Sequence, residues 1–207
     1  MKVLIVNGSG AYTRMYTQRG HTVTNNMDEA DLIQFTGGED VSPSLYGEAK
    51  HPATFNSEVR DHAEKKFFEH AVANGIPVAG ICRGGQFLNV VNGGKMWQHV
   101  DNHAIGGTHE LVDVDTNKRI QVTSTHHQMM RAGHTGKVVA YAESLSTFRQ
   151  NMVEGEVSVC DAEEYDDVEV VYYDNTNSLC FQPHPEFMVE SCADYYFELL
   201  ERCLGVK

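Results

Sequence analysis

The chain opens on Lys2-Val3-Leu4-Ile5-Val6, a run of apolar residues closed by Asn7-Gly8. An apolar run without polar alternation marks a strand covered on both faces, as in a parallel sheet sandwiched between helices. Leu32 to Phe35, ended by Gly37-Gly38, and Ile76 to Ile81 have the same character. Between these two lies a long helical stretch from about Ser57 to Asn74. Its exit, Gly75-Ile76-Pro77, couples a helix stop to a strand start. Such strand-helix-strand alternation implies a parallel sheet, and right-handed crossovers place helices on both of its faces.

The second half reads as shorter strands: Glu110 to Val114, Arg119 to Thr123, Lys137 to Ala142, Val168 to Tyr173 and Ser178 to Phe181. Turn signals at Thr116-Asn117 and at Asp174 to Asn177 separate several of them. The final stretch, Val189 to Cys203, carries apolar residues at Cys192, Tyr196, Leu199, Leu200 and Cys203, a helical period that predicts packing against the sheet. No repeat, linker tract or composition shift divides the chain, so residues 1–207 are read as a single domain.

Composition narrows the function classes. Sixteen Lys plus Arg against 29 Asp plus Glu give a formal charge of −13 in a 207-residue chain. That balance argues against nucleic acid and anionic membranes as partners. Charged residues at 22% and hydrophobic residues at 41% are ordinary for a folded protein. No apolar stretch approaches the ~20 residues needed to cross a bilayer, and the N-terminal run is too short for a signal peptide, so the expected location is the cytoplasm. The five cysteines, Cys82, Cys160, Cys180, Cys192 and Cys203, are odd in number and without close pairs. They fit neither a disulfide framework nor a zinc knuckle.

One cysteine stands apart. Cys82 follows the strand ending at Ile81 and precedes Arg83-Gly84-Gly85-Gln86, with Phe87 to Val91 reading as the first turns of a helix. A nucleophile on a sharp strand-to-helix turn needs small neighbours, and Gly80, Gly84 and Gly85 supply them. The helix N-terminus favours thiolate, and the N–H of Arg83 would face a developing oxyanion. Most free cysteines are buried packing residues; the surrounding elbow is what sets Cys82 against that reading. The matching base is His184 in Phe181-Gln182-Pro183-His184-Pro185-Glu186, where Glu186 is placed to hold the imidazole tautomer.

The segments GICRGGQ (80–86) and HPE (184–186) resemble the class I glutamine amidotransferases, which hydrolyse the γ-amide of glutamine. TGGEDVSPSLYGE (36–48), PVAGICRGGQFLNVVNGG (77–94), Arg60-Asp61 with Glu64, and Thr125 to Gln128 are most similar to the γ-glutamyl-γ-aminobutyrate hydrolase branch. The resemblance implies an α/β fold, a mostly parallel central sheet with helices on both faces in a flavodoxin-like three-layer sandwich. It also implies Cys82 as nucleophile, His184 as base and then acid, and Glu186 as its orienter. By the same route the N–H groups of Gly38 and Arg83 form an oxyanion hole. Gln86 and the loop from His126 to Gln128 would hold the glutamyl head group. The chain differs from that branch in being shorter and in the compressed stretch from Thr135 to Asp167.

The expected substrate is a γ-glutamyl amide, without a cofactor; no phosphate-binding glycine loop is present. A glutaminase that passes ammonia to a synthase or amidoligase partner remains open, as does an inactive module that binds a ligand or partner. Among 11 histidines, His99, His103 and His109 lie close in sequence, and His126-His127 form a second pair. The glycines at 106 and 107, and the lack of an acidic or cysteine residue to complete a tetrahedral set, argue against a metal. The acidic run from Glu154 to Asp167 reads as a solvated loop or hairpin face, with docking to a basic partner as the alternative.

Overall fold

A computed structural model describes residues 1–143, 145–161 and 167–207. In chain order the elements are β1 (Lys2–Val6), α1 (Gly10–Thr17), β2 (Thr22–Thr24), β3 (Leu32–Phe35), α2 (Glu58–Asn74), β4 (Val78–Ile81) and α3 (Arg83–Val91). Short strands follow: β5 (Lys95–Trp97), β6 (His99–Val100), β7 (Gly107–Asp113), β8 (Arg119–Ser124), β9 (Met129–Arg131), β10 (Lys137–Ala142), β11 (Phe148–Val153) and β12 (Glu156–Asp161). The chain then enters β13 (Asp167–Tyr173), β14 (Ser178–Phe181) and α4 (Glu190–Leu204).

Nine strands form the central sheet in the order β2-β1-β3-β4-β14-β13-β10-β7-β8. The five from β2 to β14 pair in parallel, and the pairings from β14 outward to β8 are antiparallel. The parallel half is built from the continuous apolar runs, and β3, β4 and β14 are buried along their whole length. One apolar cluster on the sheet joins Tyr12, Met15 and Tyr16 of α1 to Cys192, Tyr195, Tyr196, Leu199 and Leu200 of α4. A second cluster gathers Phe68 and Ala71 of α2 with Phe87, Leu88 and Val90 of α3. These are the two helical layers of the expected α/β sandwich.

Local chemistry explains the helix ends. Ser57 caps α2 by accepting from the Arg60 N–H, and Gly75 ends it at φ +66°. Helix α1 has no apolar run to announce it. It starts at the Ser9 cap, whose side chain accepts from the Ala11 N–H, and it buries Tyr12, Met15 and Tyr16 along one stripe. Strands β6, β11 and β12 form a separate three-stranded sheet, and β5 pairs with β9.

The acidic run divides. Glu154 and Gly155 form the turn of the β11–β12 hairpin and are exposed, as expected, and residues 162–166 lie outside the described residues. Asp167 departs from the solvated reading: it is fully buried and bonds to His103, Ser146 and Arg149. It is the first residue of β13 and not the last residue of a surface loop. Among the described residues, no helix is long and apolar enough to cross a membrane.

Candidate active site

Cys82 sits between β4 and α3 with φ +51° and ψ −115°, a backbone conformation that non-glycine residues rarely adopt. Strain of this kind costs on the order of 1–3 kcal/mol and persists only where the surroundings enforce it. The Cys82 N–H donates to the Phe181 carbonyl at 2.8 Å, and the Cys82 carbonyl accepts from the Gln86 N–H at 2.9 Å. Close backbone packing completes the clamp. A Cβ on Gly80 would lie 2.3 Å from the Gly84 backbone, and one on Gly84 would lie 2.5 Å from the Phe35 carbonyl. The elbow glycines are thus required by contact between α3 and the sheet.

The end of β14 delivers His184 to the same point. Its backbone N–H donates to Thr123 Oγ1 at 2.6 Å, and its ring stacks on Phe187 with centroids 4.5 Å apart. Glu186 Oε1 meets His184 Nδ1 at 2.6 Å. Burial disfavours the imidazolium, but the Cys82 thiol and the Glu186 carboxylate outweigh it and raise the His184 pKa from 6.5 to about 10. With Nδ1 on Glu186, Nε2 is the ring nitrogen available to Cys82.

The turn after β3 closes the third side. A Cβ on Gly37 would lie 2.9 Å from His184 Cε1 and 3.7 Å from Cys82 Cβ, so this backbone runs directly against the pair. Arg60, on the first turn of α2, donates from Nη2 to the carbonyls of Thr36 at 2.9 Å and Gly37 at 3.0 Å. In a trans peptide the N–H points opposite to the carbonyl. The Gly37 N–H accordingly faces away from Arg60 and donates to Tyr12 Oη at 2.9 Å. The Gly38 N–H likewise faces away from Arg60. Gly38 has φ +142°, and a Cβ there would lie 2.0 Å from Arg60 Nη1.

Arg60 is itself held by Glu64, Nε to Oε1 at 2.8 Å. Glu64 and Asp61 both bind the Arg83 guanidinium, which is 1% exposed beneath the N-terminus of α3. One buried ion network therefore ties the β3 turn to the elbow. Sequence reasoning noted Arg60, Asp61 and Glu64 only as matches to a branch; the i, i+1, i+4 spacing on one helix places all three toward the turn. Tyr12 was missed, because helix α1 was not recognised.

The residues expected at a head group form a buried wall. Gln86 donates from Nε2 to Gln182 Oε1 at 3.1 Å. Gln128 donates from Nε2 to Thr54 Oγ1 and to the Gln98 carbonyl, both at 3.1 Å. The His126 side chain is 3% exposed with Nδ1 on the Gln128 carbonyl at 3.0 Å. The side chains of His126 and Gln128 are thus engaged within the protein.

The expectation that no acidic residue completes a metal-ligand set is corrected. His103, His109, His126 and Glu169 are all buried and bring their donor atoms within 4.8 Å of one another. Glu169 arrives from β13, 60 residues beyond His109 and 43 beyond His126, so spacing could not reveal it. His99 stays outside this group, stacked with His51 at 5.9 Å, and His127 pairs with Asp40 at 3.2 Å.

A protein of Mycobacterium tuberculosis whose name assigns it provisionally to the glutamine amidotransferases is 43% identical over 75 residues, 36% of this chain and 24% of its own length. The carbamoyl phosphate synthase small chain of Wigglesworthia glossinidia brevipalpis is 31% identical over 111 residues, 54% of this chain and 25% of that one. This chain thus spans about a quarter of each of these two relatives. In fold it is similar to a crystal structure of a glutamine amidotransferase from Thermotoga maritima, with TM-score 0.62 at 16% identity over 99% of this chain and 89% of the other. The sequence pattern of Peptidase C26 matches residues 4–186, which include Cys82, His184 and Glu186. The chain belongs to the Peptidase C26 family.

Proposed function

We propose that this chain hydrolyses a γ-glutamyl amide through a glutamyl thioester on Cys82, as one domain spanning residues 1–207. The observation that carries the reading is the strained Cys82 elbow meeting a His184 imidazole whose other nitrogen is held by Glu186. An amide carbon is a poor electrophile, so a thiolate nucleophile and an acid for the amine are both required. The Cys82 thiolate attacks the amide carbon and the carbonyl electrons move onto oxygen. The N–H groups of Gly38 and Arg83 hold that oxyanion.

The imidazolium of His184 then gives its proton to the departing amine as the carbon–nitrogen bond breaks. Neutral His184 next takes a proton from water, which attacks the thioester, and the carbon–sulfur bond breaks to release glutamate and restore the thiolate. Gln86 and the backbone of the loop from His126 to Gln128 border the glutamyl head group. The acidic charge disfavours nucleic acid and anionic membranes as partners, and a cytoplasmic location fits the chemistry.

A second reading has a specific motive. The likeness to a carbamoyl phosphate synthase small chain and, in fold, to the PurLQS structure from Thermotoga maritima (TM-score 0.53) favours a glutaminase that hands ammonia to a synthase or amidoligase partner. Release of glutamate and ammonia from glutamine, with a γ-glutamyl amine alongside and Cys82→Ala as control, separates the two. Rapid Cys82-dependent cleavage of the conjugate supports a free-standing hydrolase; slow cleavage of glutamine alone supports the subunit.

A further inference from the structure

We propose that His103, His109, His126 and Glu169 form a buried structural zinc site. Glu169 Oε1 lies 3.1 Å from His103 Nδ1, 3.1 Å from His109 Nε2 and 3.2 Å from His126 Nε2. Three imidazole nitrogens on one carboxylate oxygen is a poor hydrogen-bonding arrangement. Among the described residues, neither these nitrogens nor either Glu169 oxygen has a properly directed hydrogen-bond partner. Buried polar atoms without partners are rare in folded proteins and call for an explanation.

A metal ion supplies it. Around zinc, with ligand bonds of about 2.0–2.1 Å, tetrahedral donors lie roughly 3.3 Å apart. The three distances to Glu169 Oε1 are close to the edges of that tetrahedron. The remaining ring atoms agree for two histidines. His103 turns Nε2 to Asp167 Oδ2 at 2.9 Å, and His126 turns Nδ1 to the Gln128 carbonyl at 3.0 Å. A carboxylate or carbonyl behind each of these two imidazoles fixes the tautomer that leaves the metal-facing nitrogen unprotonated.

Three imidazoles and one carboxylate favour zinc over calcium or magnesium, which take oxygen ligands. All four residues are 6% exposed or less, and four protein donors fill the tetrahedron, so the site has no open position for a reacting water. The ion would offset the buried charge of Glu169 and Asp167. It would also pin the loop before β7, β7 itself, the loop after β8 and β13 at one point, although β10 separates β7 from β13 in the sheet. The His126–Gln128 loop would be fixed through the same ion.

Metal analysis of the 207-residue chain produced in zinc-supplemented medium is expected to find about one zinc ion per chain. Dialysis against a strong chelator should remove it and lower Tm, and added zinc should restore both. X-ray absorption at the zinc edge should show nitrogen and oxygen neighbours without sulfur. His109→Ala is expected to lose the ion on dialysis against plain buffer. Cobalt titration of the metal-free wild-type chain needs no variant and should develop the visible bands of tetrahedral Co2+. Failure to bind either metal stoichiometrically overturns the proposal, as does sulfur scattering, which would place the ion at a cysteine outside this site.

Discussion

Arg60 Nη2 holds the Gly37 carbonyl at 3.0 Å, and this one hydrogen bond sets the direction of the next N–H in the chain. The same guanidinium binds Thr36, Glu39 and Glu64, so it acts as a fork that shapes the turn against Cys82. Lysine has the charge but not the planar fork. Arg60→Lys is therefore expected to lower kcat by about 100-fold, the usual cost of displacing reacting groups by about an ångström. KM should change much less, and far-ultraviolet circular dichroism should be unaltered. Steady-state kinetics on a γ-glutamyl amide measure this, and an unchanged kcat would remove Arg60 from the account.

Gly38 gives a sharper test of the same turn. An alanine there would meet Arg60 Nη1 at 2.0 Å and would have to hold φ at +142°. The peptide must then rotate and carry its N–H away from the oxyanion position. Gly38→Ala is expected to cost about 100- to 1,000-fold in kcat, the range for losing one oxyanion donor. Alkylation of Cys82 by iodoacetamide should proceed at the wild-type rate, because the thiol and its imidazole are untouched. A parallel loss of alkylation would mean that the turn shapes the nucleophile instead.

The pH dependence of that alkylation reports on His184. The ring is held protonated up to about 10 by Cys82 and Glu186, so an imidazolium stands beside the sulfur throughout the neutral range. In His184→Asn the thiolate loses that support. The variant should be alkylated about tenfold more slowly near neutral pH, by the usual effect of an adjacent cation on a thiol. The gap should close at alkaline pH, where the variant's thiol ionises without an imidazolium beside it. A gap independent of pH would show that the imidazolium is not what activates the thiol.

Much of this site was legible in the sequence because its signals are local. The run into Ile81, the cysteine at the turn and the glycines around it each follow from steric needs that operate within a few residues. So do the Ser57 and Gly75 helix ends. The antiparallel outer strands were also found, within a few residues, from turn signals. Helix α1 was not, since its buried stripe of Tyr12, Met15 and Tyr16 is interrupted by Thr13 and Arg14 and has no long apolar run. The union of Glu169 with three histidines depends on sheet order and register, which bring β13 and β7 together across β10. No local pattern encodes that meeting. Asp167 was misread for the same reason: next to other acids in sequence, it is next to Arg149 and His103 in space.

Backbone strain at Cys82 predicts a trade between stability and function. Glycine tolerates φ +51° and alanine does not. Cys82→Gly should therefore be more stable than Cys82→Ala by about 1 kcal/mol, with both inactive, since strain at such positions is worth about 1–3 kcal/mol before the entropy of glycine is subtracted. Urea denaturation of the two variants checks this. Equal stability would mean that the elbow is relaxed.

The central claim is a covalent glutamyl intermediate on Cys82, and intact-protein mass spectrometry of enzyme quenched in acid during turnover tests it most directly. With a γ-glutamyl amide in excess, the account predicts a mass increment of one glutamyl group on the wild-type chain, and none on Cys82→Ala. To guard against rapid hydrolysis, the same measurement uses 6-diazo-5-oxo-L-norleucine, a glutamine analogue that leaves a stable thioether. Labelling at Cys82 that glutamine slows would support the account. Glutamate release by wild type and Cys82→Ala at equal rates, or labelling confined to another cysteine, would contradict it.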